Sequence, residues 1–457
     1  MSRDILSEYE PLFKPRSVAL LGASGTEGKV GRMWMERFVE AGFENLYPVN
    51  LRENEIMGIK AYPSLTDIPD PIDYVLVLLP PKAVPDAIEE CIAKEVKGIT
   101  ISSASLGFFG EDAKTQEKEL VRMANEKGVR LIGPNCNGIY CPASRLPFPL
   151  GPSMESGSIG IVSQSGSFAD IVTNIATGNR VTFSKAISCG NESDLTAVDF
   201  LEYLGADQDT KIILAYLEGV NDGRRFNRLA REISKKKPLI VWKCGTTEMG
   251  AKAAATHTGA LAGSQEVWNG VLTGAGVINI ESLEEGLDLL YTFNSQPFPS
   301  GKRIAIIAGT GGPAVGTVDM CLELGLDVPH LSAHTKDNIQ QIIPPFGSSA
   351  ENPVDLSIAS VVNPKMFGEA LKILEEDDRV DMMLVIGAGG GNEFPKAMID
   401  VKNEIRKPFA VSSINPLDEV AQEYKMLLSH GVPIFSDPGR AAKALSKLAE
   451  YAEFRSM

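Results

Sequence analysis

Histidine is scarce in this chain, with four in 457 residues. Cysteine occurs six times, at Cys91, Cys136, Cys141, Cys189, Cys244 and Cys321, never as a CxxC pair and never beside a histidine cluster. That excludes the usual spacings of a structural zinc site, and no metal is expected on this chain. Thiols scattered through a long chain suit a reducing cytoplasm. No segment approaches the roughly 20 apolar residues of a membrane span. The opening "MSRDILSEYEPLF" is charged and lacks the apolar centre of a signal peptide, so no membrane partner is expected. There is no Walker-type GxxxxGK[ST] run. Positive charge is in deficit too: the formal net charge is −15, which argues against nucleic acid or an anionic membrane surface as the main partner. An anionic small ligand stays open, because backbone N–H groups and a few placed cations bind it locally.

What is present is a soluble globular composition, 44% hydrophobic and 23% charged. The length predicts two to four domains of about 100–200 residues each. Short apolar strands alternate with amphipathic helices throughout. "SVALLGAS" (17–24) ends in a glycine turn, "MWMERFVEAG" (33–42) reads as a helix closed by Gly42, and "NLYPVN", "YVLVLLP" and "GITISSA" follow as strands. A second unit opens at "GSIGIVSQSGSF" (157–168) after a Pro- and Ser-rich bridge, and a third follows "SQPFPSGK" (295–302). This βαβ rhythm predicts α/β architecture: three consecutive domains, 1–143, 144–296 and 297–457, each built on a parallel sheet.

Each unit carries a strand running into a Gly-rich turn at a helix start. The first is "LLGASGTEGKVG", with Gly22, Gly25, Gly28, Gly31 and a cation, Lys29. Glycines there let the backbone approach a pyrophosphate, and the free N–H groups of the helix start bind its charge. The spacing is not the dinucleotide one. The acidic residue expected about 20 residues on, to hold a ribose diol, is replaced by "PVN" at 48–50. NAD and a nicotinamide-dependent oxidoreductase are therefore disfavoured, and a ligand with extra phosphates is favoured over a turn with no ligand. The second turn, "VSQSGSF", places Ser163, Ser165 and Ser167 around Gly166. It reads as an anion site of amides and hydroxyls, since a simple N-cap needs only one serine. The third, "AGTGGPAVG", places Gly311 and Gly312 before Pro313; a second anion site and a plain tight turn both fit it.

His257 sits in "GTTEMGAKAAATHTGALAGS" (245–264), a stretch of small and polar residues. Imidazole is a competent nucleophile near neutral pH, and a transferred group on a loop of glycine and alanine can visit two sites. A proton shuttle, a ligand contact and an exposed histidine with no role are the other readings. Glu218, in "LAYLEGV", stands at the carboxyl end of a buried-looking strand. There it either orients and stabilises an imidazole or is simply hydrated.

Taken together and in order, "VALLGASGTEGKVG", "GPNCNG", "GIVSQSG", "YLEG" and "THTGALAG" resemble the nucleoside-diphosphate-forming acyl-CoA synthetases, the superfamily of succinyl-CoA synthetase. The likeness is greatest to the α subunits of the archaeal ADP-forming acetyl-CoA branch, and it covers essentially the whole chain. It implies a Rossmann-like CoA-binding domain followed by two flavodoxin-like domains. By it, Gly22, Ser24, Gly25, Thr26, Lys29, Asn50, Ser102 and Ser103 hold coenzyme A. Ser165, Gly166, Gly311 and Gly312 hold phosphate, His257 carries the phosphoryl group, and Glu218 hydrogen-bonds that histidine. The implied reaction takes acetyl-CoA, phosphate and ADP to acetate, CoA and ATP through acyl phosphate and phosphohistidine. No ATP-grasp region is visible. The resemblance therefore places ADP/ATP and Mg2+ on a separate ATP-grasp β subunit, in an α2β2 heterotetramer. Asp170 stands where the succinyl enzyme has a bulky polar residue, which disfavours succinate. In "SSASLGFFGE" (102–111), Phe108 and Phe109 are either walls of a small acyl pocket or core. A CoA-binding regulator with a degenerate site, and the synthetase-like part of a protein acyltransferase, remain the alternatives.

Overall fold

The strands are short apolar runs, and the buried ones have no polar face. Val18–Leu21, Tyr74–Val77 and Gly98–Ile101 are buried along their full length, as strands covered by helices on both sides must be. A computed structural model describes residues 4–108, 112–252, 264–387, 392–413 and 417–456. In it these strands form an all-parallel sheet. Its spatial order is Leu46–Val49, Val18–Leu21, Tyr74–Val77, Gly98–Ile101, Arg130–Ile132. Leu21 lies opposite both Val49 and Val77, and Val77 opposite Ile101, so the carboxyl ends are level. Strand order reverses at Val18–Leu21, which puts the ligand crevice of an open α/β sheet at that strand's carboxyl end. The helix after it, Val30–Ala41, stops at Gly42 in the left-handed region, where the sequence places its end.

A second sheet runs Ile278–Ile280, Leu239–Lys243, Ile212–Leu217, Ser156–Ser163, Phe183–Ser188, Gly138–Tyr140. All pairs are parallel except the last, where Gly138–Tyr140 adds an antiparallel edge. The helix Ala197–Ala206 starts at a capping box, Thr196 with Asp199. It packs against the first helix of the chain, Ile5–Phe13, whose residues Ile5, Tyr9, Leu12 and Phe13 are buried. Phe13 stacks on Tyr203 at 4.2 Å between ring centroids, and Tyr9 lies 6.2 Å from Phe200. The charged opening thus hides a helical apolar stripe that ties the amino terminus to the second sheet's layer.

The third sheet is also all parallel, in the order Val354–Asp355, Ile304–Ala308, Met382–Gly387, Phe409–Ser413, Ile434–Phe435. Gln296 in the Pro-rich bridge accepts the Phe409 N–H at 2.9 Å and donates to the Gly431 carbonyl at 3.2 Å, so the bridge is fastened to this sheet. Beside it the helix Leu283–Ser295 is clamped to Pro438–Ser456 by Arg440, which grips both Asp288 oxygens at 2.9 and 2.7 Å. The chain divides into two compact units. Met1–Gly178 with Thr182–Ile280 holds the first two sheets, and Asn179–Val181 with Glu281–Met457 holds the third. Among the described residues no helix is long and apolar enough to cross a membrane.

Candidate functional site

The residues assigned to coenzyme A gather at the level carboxyl edge of the first sheet. Gly22 leaves its strand while donating to the Val49 carbonyl at 3.1 Å. Ser24 Oγ folds onto the turn and accepts the Thr26 N–H at 3.1 Å. Lys29 precedes the Val30–Ala41 helix, gives it no side-chain cap, is exposed, and makes no ion pair among the described residues. Asn50, at the exit of the neighbouring strand, donates to the Ala23 carbonyl at 2.8 Å and accepts the N–H groups of Arg52 and Glu53 at 2.7 and 3.0 Å. Its side chain is therefore spent on shaping the crevice. Ser102 and Ser103 follow the Gly98–Ile101 strand, and the Ser103 hydroxyl donates to the Leu79 carbonyl at the next strand end.

An acidic residue does reach this crevice, though not from the strand end at 48–50. Glu53, three positions beyond Asn50, returns its carboxylate to the turn and accepts the Gly25 N–H at 2.9 and 3.1 Å. The sequence pattern misses it because the carboxylate leaves from the following turn, beyond "PVN". Of the two candidate pocket phenylalanines, Phe108 packs against the core of the first sheet; Phe109 lies outside the described residues.

The second turn builds a closed set of contacts around Gly166. Ser163 Oγ donates to the Ser165 carbonyl at 2.6 Å and accepts the Ser165 N–H at 3.1 Å. Ser165 Oγ accepts the Phe168 N–H at 3.3 Å and sits 3.2 Å from Ser167 Oγ, at the start of the helix Gly166–Gly178. From the first domain's last loop, Asn137 Nδ2 donates to the Gly166 carbonyl at 3.2 Å, and its N–H donates to Ser188 Oγ at 3.1 Å. The "GPNCNG" stretch thus braces this helix start. Asp170, one turn in, is buried and accepts the Leu150 N–H at 3.2 and 3.3 Å; burial pushes its carboxyl up to about 6. Its oxygens hold the bridge down.

Glu218 follows Ile212–Leu217 and is only 5% exposed. Gln164, between Ser163 and Ser165, fixes its backbone: Oε1 accepts the Glu218 N–H at 2.5 Å and the Gly219 N–H at 3.1 Å, and Nε2 donates to the Gly219 carbonyl at 2.9 Å. Buried Lys243, at the end of the adjacent strand, donates to the Glu218 carbonyl at 2.8 Å, with its pKa lowered by burial. Glu192 completes the surroundings. It accepts the Ala197 N–H at 2.8 Å. Burial above all, together with the charges of Asp199 and Glu218, pushes its carboxyl up to about 7. So the structure brings Ser165, Gly166 and Glu218 together. Gln164, Lys243 and Glu192 are additions that sequence reasoning missed. His257 lies outside the described residues, and the strand Leu239–Lys243 leads toward its segment.

The third turn is a distinct construction in the second unit. Thr310 precedes the helix Gly311–Glu323 without a side-chain cap, so its first N–H groups are not taken by the N-cap residue. Asp355 approaches so closely that a Cβ on Gly311 would meet Oδ2 at 2.8 Å, whereas one on Gly312 would meet nothing within 4 Å. Asp355, another residue outside the sequence-derived set, thus lies close against Gly311.

The three strand-end turns fall one in each of the ranges that three family models match. A CoA binding domain matches residues 16–142, a succinyl-CoA ligase like flavodoxin domain 156–293, and a Ligase-CoA domain 304–451. The α subunit of acetate–CoA ligase [ADP-forming] I from Pyrococcus furiosus is 35% identical over 98% of this chain and 98% of its own length. The chain belongs to the ADP-forming acetate–CoA ligase family. Acetate–CoA ligase [ADP-forming] I from Archaeoglobus fulgidus is 37% identical over 97% of this chain, a match that covers 64% of that longer protein. Among solved structures, the Ca. Korarchaeum cryptofilum dinucleotide forming acetyl-coenzyme A synthetase 1 in complex with phosphate and ADP superposes with a TM-score of 0.88. It is 29% identical, over 98% of this chain and 97% of that one. That synthetase therefore shares the fold of this chain.

Proposed function

We propose that this chain is the α subunit of a cytoplasmic ADP-forming acetate–CoA ligase, with domains 1–143, 144–296 and 297–457. Its reaction is acetyl-CoA, phosphate and ADP to acetate, CoA and ATP, reversibly. The observation that carries the reading is the end-to-end likeness to a chain named as the α subunit of such an enzyme. Coenzyme A lies along the first sheet's carboxyl edge, with its phosphates toward Ser24, Gly25, Thr26 and Lys29 and with Gly22, Asn50, Ser102 and Ser103 shaping the crevice. Lys29, exposed and without an ion pair among the described residues, supports this. Phosphate attacks the thioester carbonyl, the C–S bond breaks, and acetyl phosphate and the CoA thiolate result. Ser165 and Gly166 bind the phosphate through amides and hydroxyls at a helix start; Gly311 and Gly312, at a helix start of the other unit, are read as phosphate-binding residues in their own right.

The imidazole of His257 then attacks phosphorus, a P–N bond forms, and acetate leaves. Glu218, held in place by Gln164 and Lys243, steadies the resulting phosphohistidine by accepting the N–H of the other ring nitrogen. Transfer to ADP needs a nucleotide site, which this reading puts, with Mg2+, on an ATP-grasp β subunit in an α2β2 assembly. The A. fulgidus relative, matched over only 64% of its length, supports the view that more than this chain's equivalent is needed. The test is to incubate the chain with Mg-ATP, with and without a β chain, and to locate phosphate by mass spectrometry under alkaline conditions. Acid-labile phosphate on His257 only when β is present is the expected result. Labelling elsewhere, or none with an active β chain, defeats the assignment.

A further inference from the structure

The turn assigned to CoA phosphate already holds an anion of the chain's own. Asn50 accepts the N–H groups of Arg52 and Glu53, and this local turn aims the Glu53 side chain back across the crevice. Both Glu53 oxygens then meet the Gly25 N–H, at 3.1 and 2.9 Å. Oε1 also accepts from Ser24 Oγ at 3.3 Å and from Asn50 Nδ2 at 3.2 Å. The approach is close enough that a Cβ on Gly25 would lie 2.5 Å from Oε2. Among the described residues, the neighbouring cations leave this carboxylate without a direct ion pair. Arg32 is bonded to Glu36 at 2.7 Å, and Lys29 makes no ion pair among the described residues.

We infer that Glu53 sets the affinity for CoA as an internal competitor: its carboxylate occupies the Gly25 amide in the free chain and must swing away before a CoA phosphate seats there. This rests on the reading of the turn as the CoA site. A carboxylate and a phosphate accept from the same N–H and repel each other, so the amide serves one at a time. Before CoA arrives, Glu53 keeps the turn shaped and its N–H satisfied. When CoA leaves, Glu53 returns to the amide and favours release. The opposite role is the one familiar from dinucleotide sites, where an acid beyond the second strand grips a ribose hydroxyl and strengthens binding. The two roles predict opposite signs.

The experiment is calorimetry of the full chain with CoA, and with pantetheine as a phosphate-free control, for the parent and for Glu53→Gln and Glu53→Ala. Removing a charge-assisted competitor should tighten CoA about tenfold and leave pantetheine unchanged. With a β chain present, KM for acetyl-CoA should fall while kcat does not rise, a split that a merely structural role would not produce. Should those variants fail to fold, Glu53→Asp keeps the charge but is one methylene short of Gly25, and should tighten CoA as well. Weaker or unchanged CoA binding in folded variants overturns the inference. Absence of CoA binding in the parent and variants alike overturns the CoA reading itself, and the inference with it.

Discussion

Gln164 and Glu218 are 54 positions apart in the chain and are joined by one side-chain amide, which accepts the N–H groups of Glu218 and Gly219 and donates to the Gly219 carbonyl. Three buried backbone groups at the end of a strand thus depend on one residue lodged between Ser163 and Ser165. The Gln164 side chain ties the segment carrying Ser165 to the strand end that carries Glu218.

Gln164→Ala leaves those groups unsatisfied. It should cost about 1–3 kcal/mol of stability and shorten the phosphoenzyme lifetime by freeing Glu218. Gln164→Glu keeps the acceptor but loses the donor, and it places a charge near Glu192 and Glu218. Urea melts and phosphate release rates check both. A variant equal to the parent in stability and lifetime would show that the clamp does nothing.

Glu192 gives a pH signature. Its folded carboxyl titrates at about 7, well above the ordinary range, so folding favours the protonated form. Its stabilising contribution is full below the ordinary glutamate value and is lost as pH rises through about 7. Glu192→Gln mimics the protonated state. It should match the parent near pH 4.5 and exceed it at pH 8 by on the order of 2 kcal/mol, discounting for the partly exposed side chain. Thermal melts across that range check it. An equal offset at every pH would refute the titration.

The amino-terminal helix should matter for stability alone. Phe13 is wholly buried and stacked on Tyr203. Phe13→Ala should cost about 3–5 kcal/mol while leaving the KM for acetyl-CoA unchanged at a temperature where the variant is folded. A changed KM would place this helix in the binding site.

What was legible in the sequence is what local chemistry encodes. Val18–Leu21 followed by glycines, and Ser156–Ser163 followed by Ser165 and Gly166, announce strand-to-helix turns because alternation, glycine and helix starts are read over a few residues. Glu218 was visible for the same reason, as an acid at a strand end. Glu53, Gln164, Glu192 and Asp355 were not. Their partners lie on other strand exits, and only the parallel register of the sheets, with carboxyl ends level, brings those exits together. Tyr9 and Phe13 had a local signal, helical spacing with Ile5 and Leu12, but the surrounding charge masked it.

The last prediction separates the nucleophile from its support. If His257 bears the phosphoryl group, His257→Ala should abolish ATP formation from acetyl-CoA in the presence of a β chain, and it should leave CoA binding within about twofold, because the residues proposed for CoA lie at the first sheet. Glu218→Gln should behave differently. The amide still accepts a hydrogen bond but carries no charge to balance a cationic or phosphorylated imidazole. Losing a charge-assisted bond of about 1.5–3 kcal/mol should lower the phosphoenzyme level by roughly ten- to a hundredfold, with labelling still confined to His257. Quench-flow with labelled ATP measures amount and lifetime in both variants. The order is what matters: the histidine variant has no phosphoenzyme, the glutamate variant has less and loses it sooner. Appreciable turnover in His257→Ala would remove that residue from the chemistry. An unchanged phosphoenzyme in Glu218→Gln would leave the buried carboxylate a structural one, with Gln164 and Lys243 holding a strand end that serves only the fold.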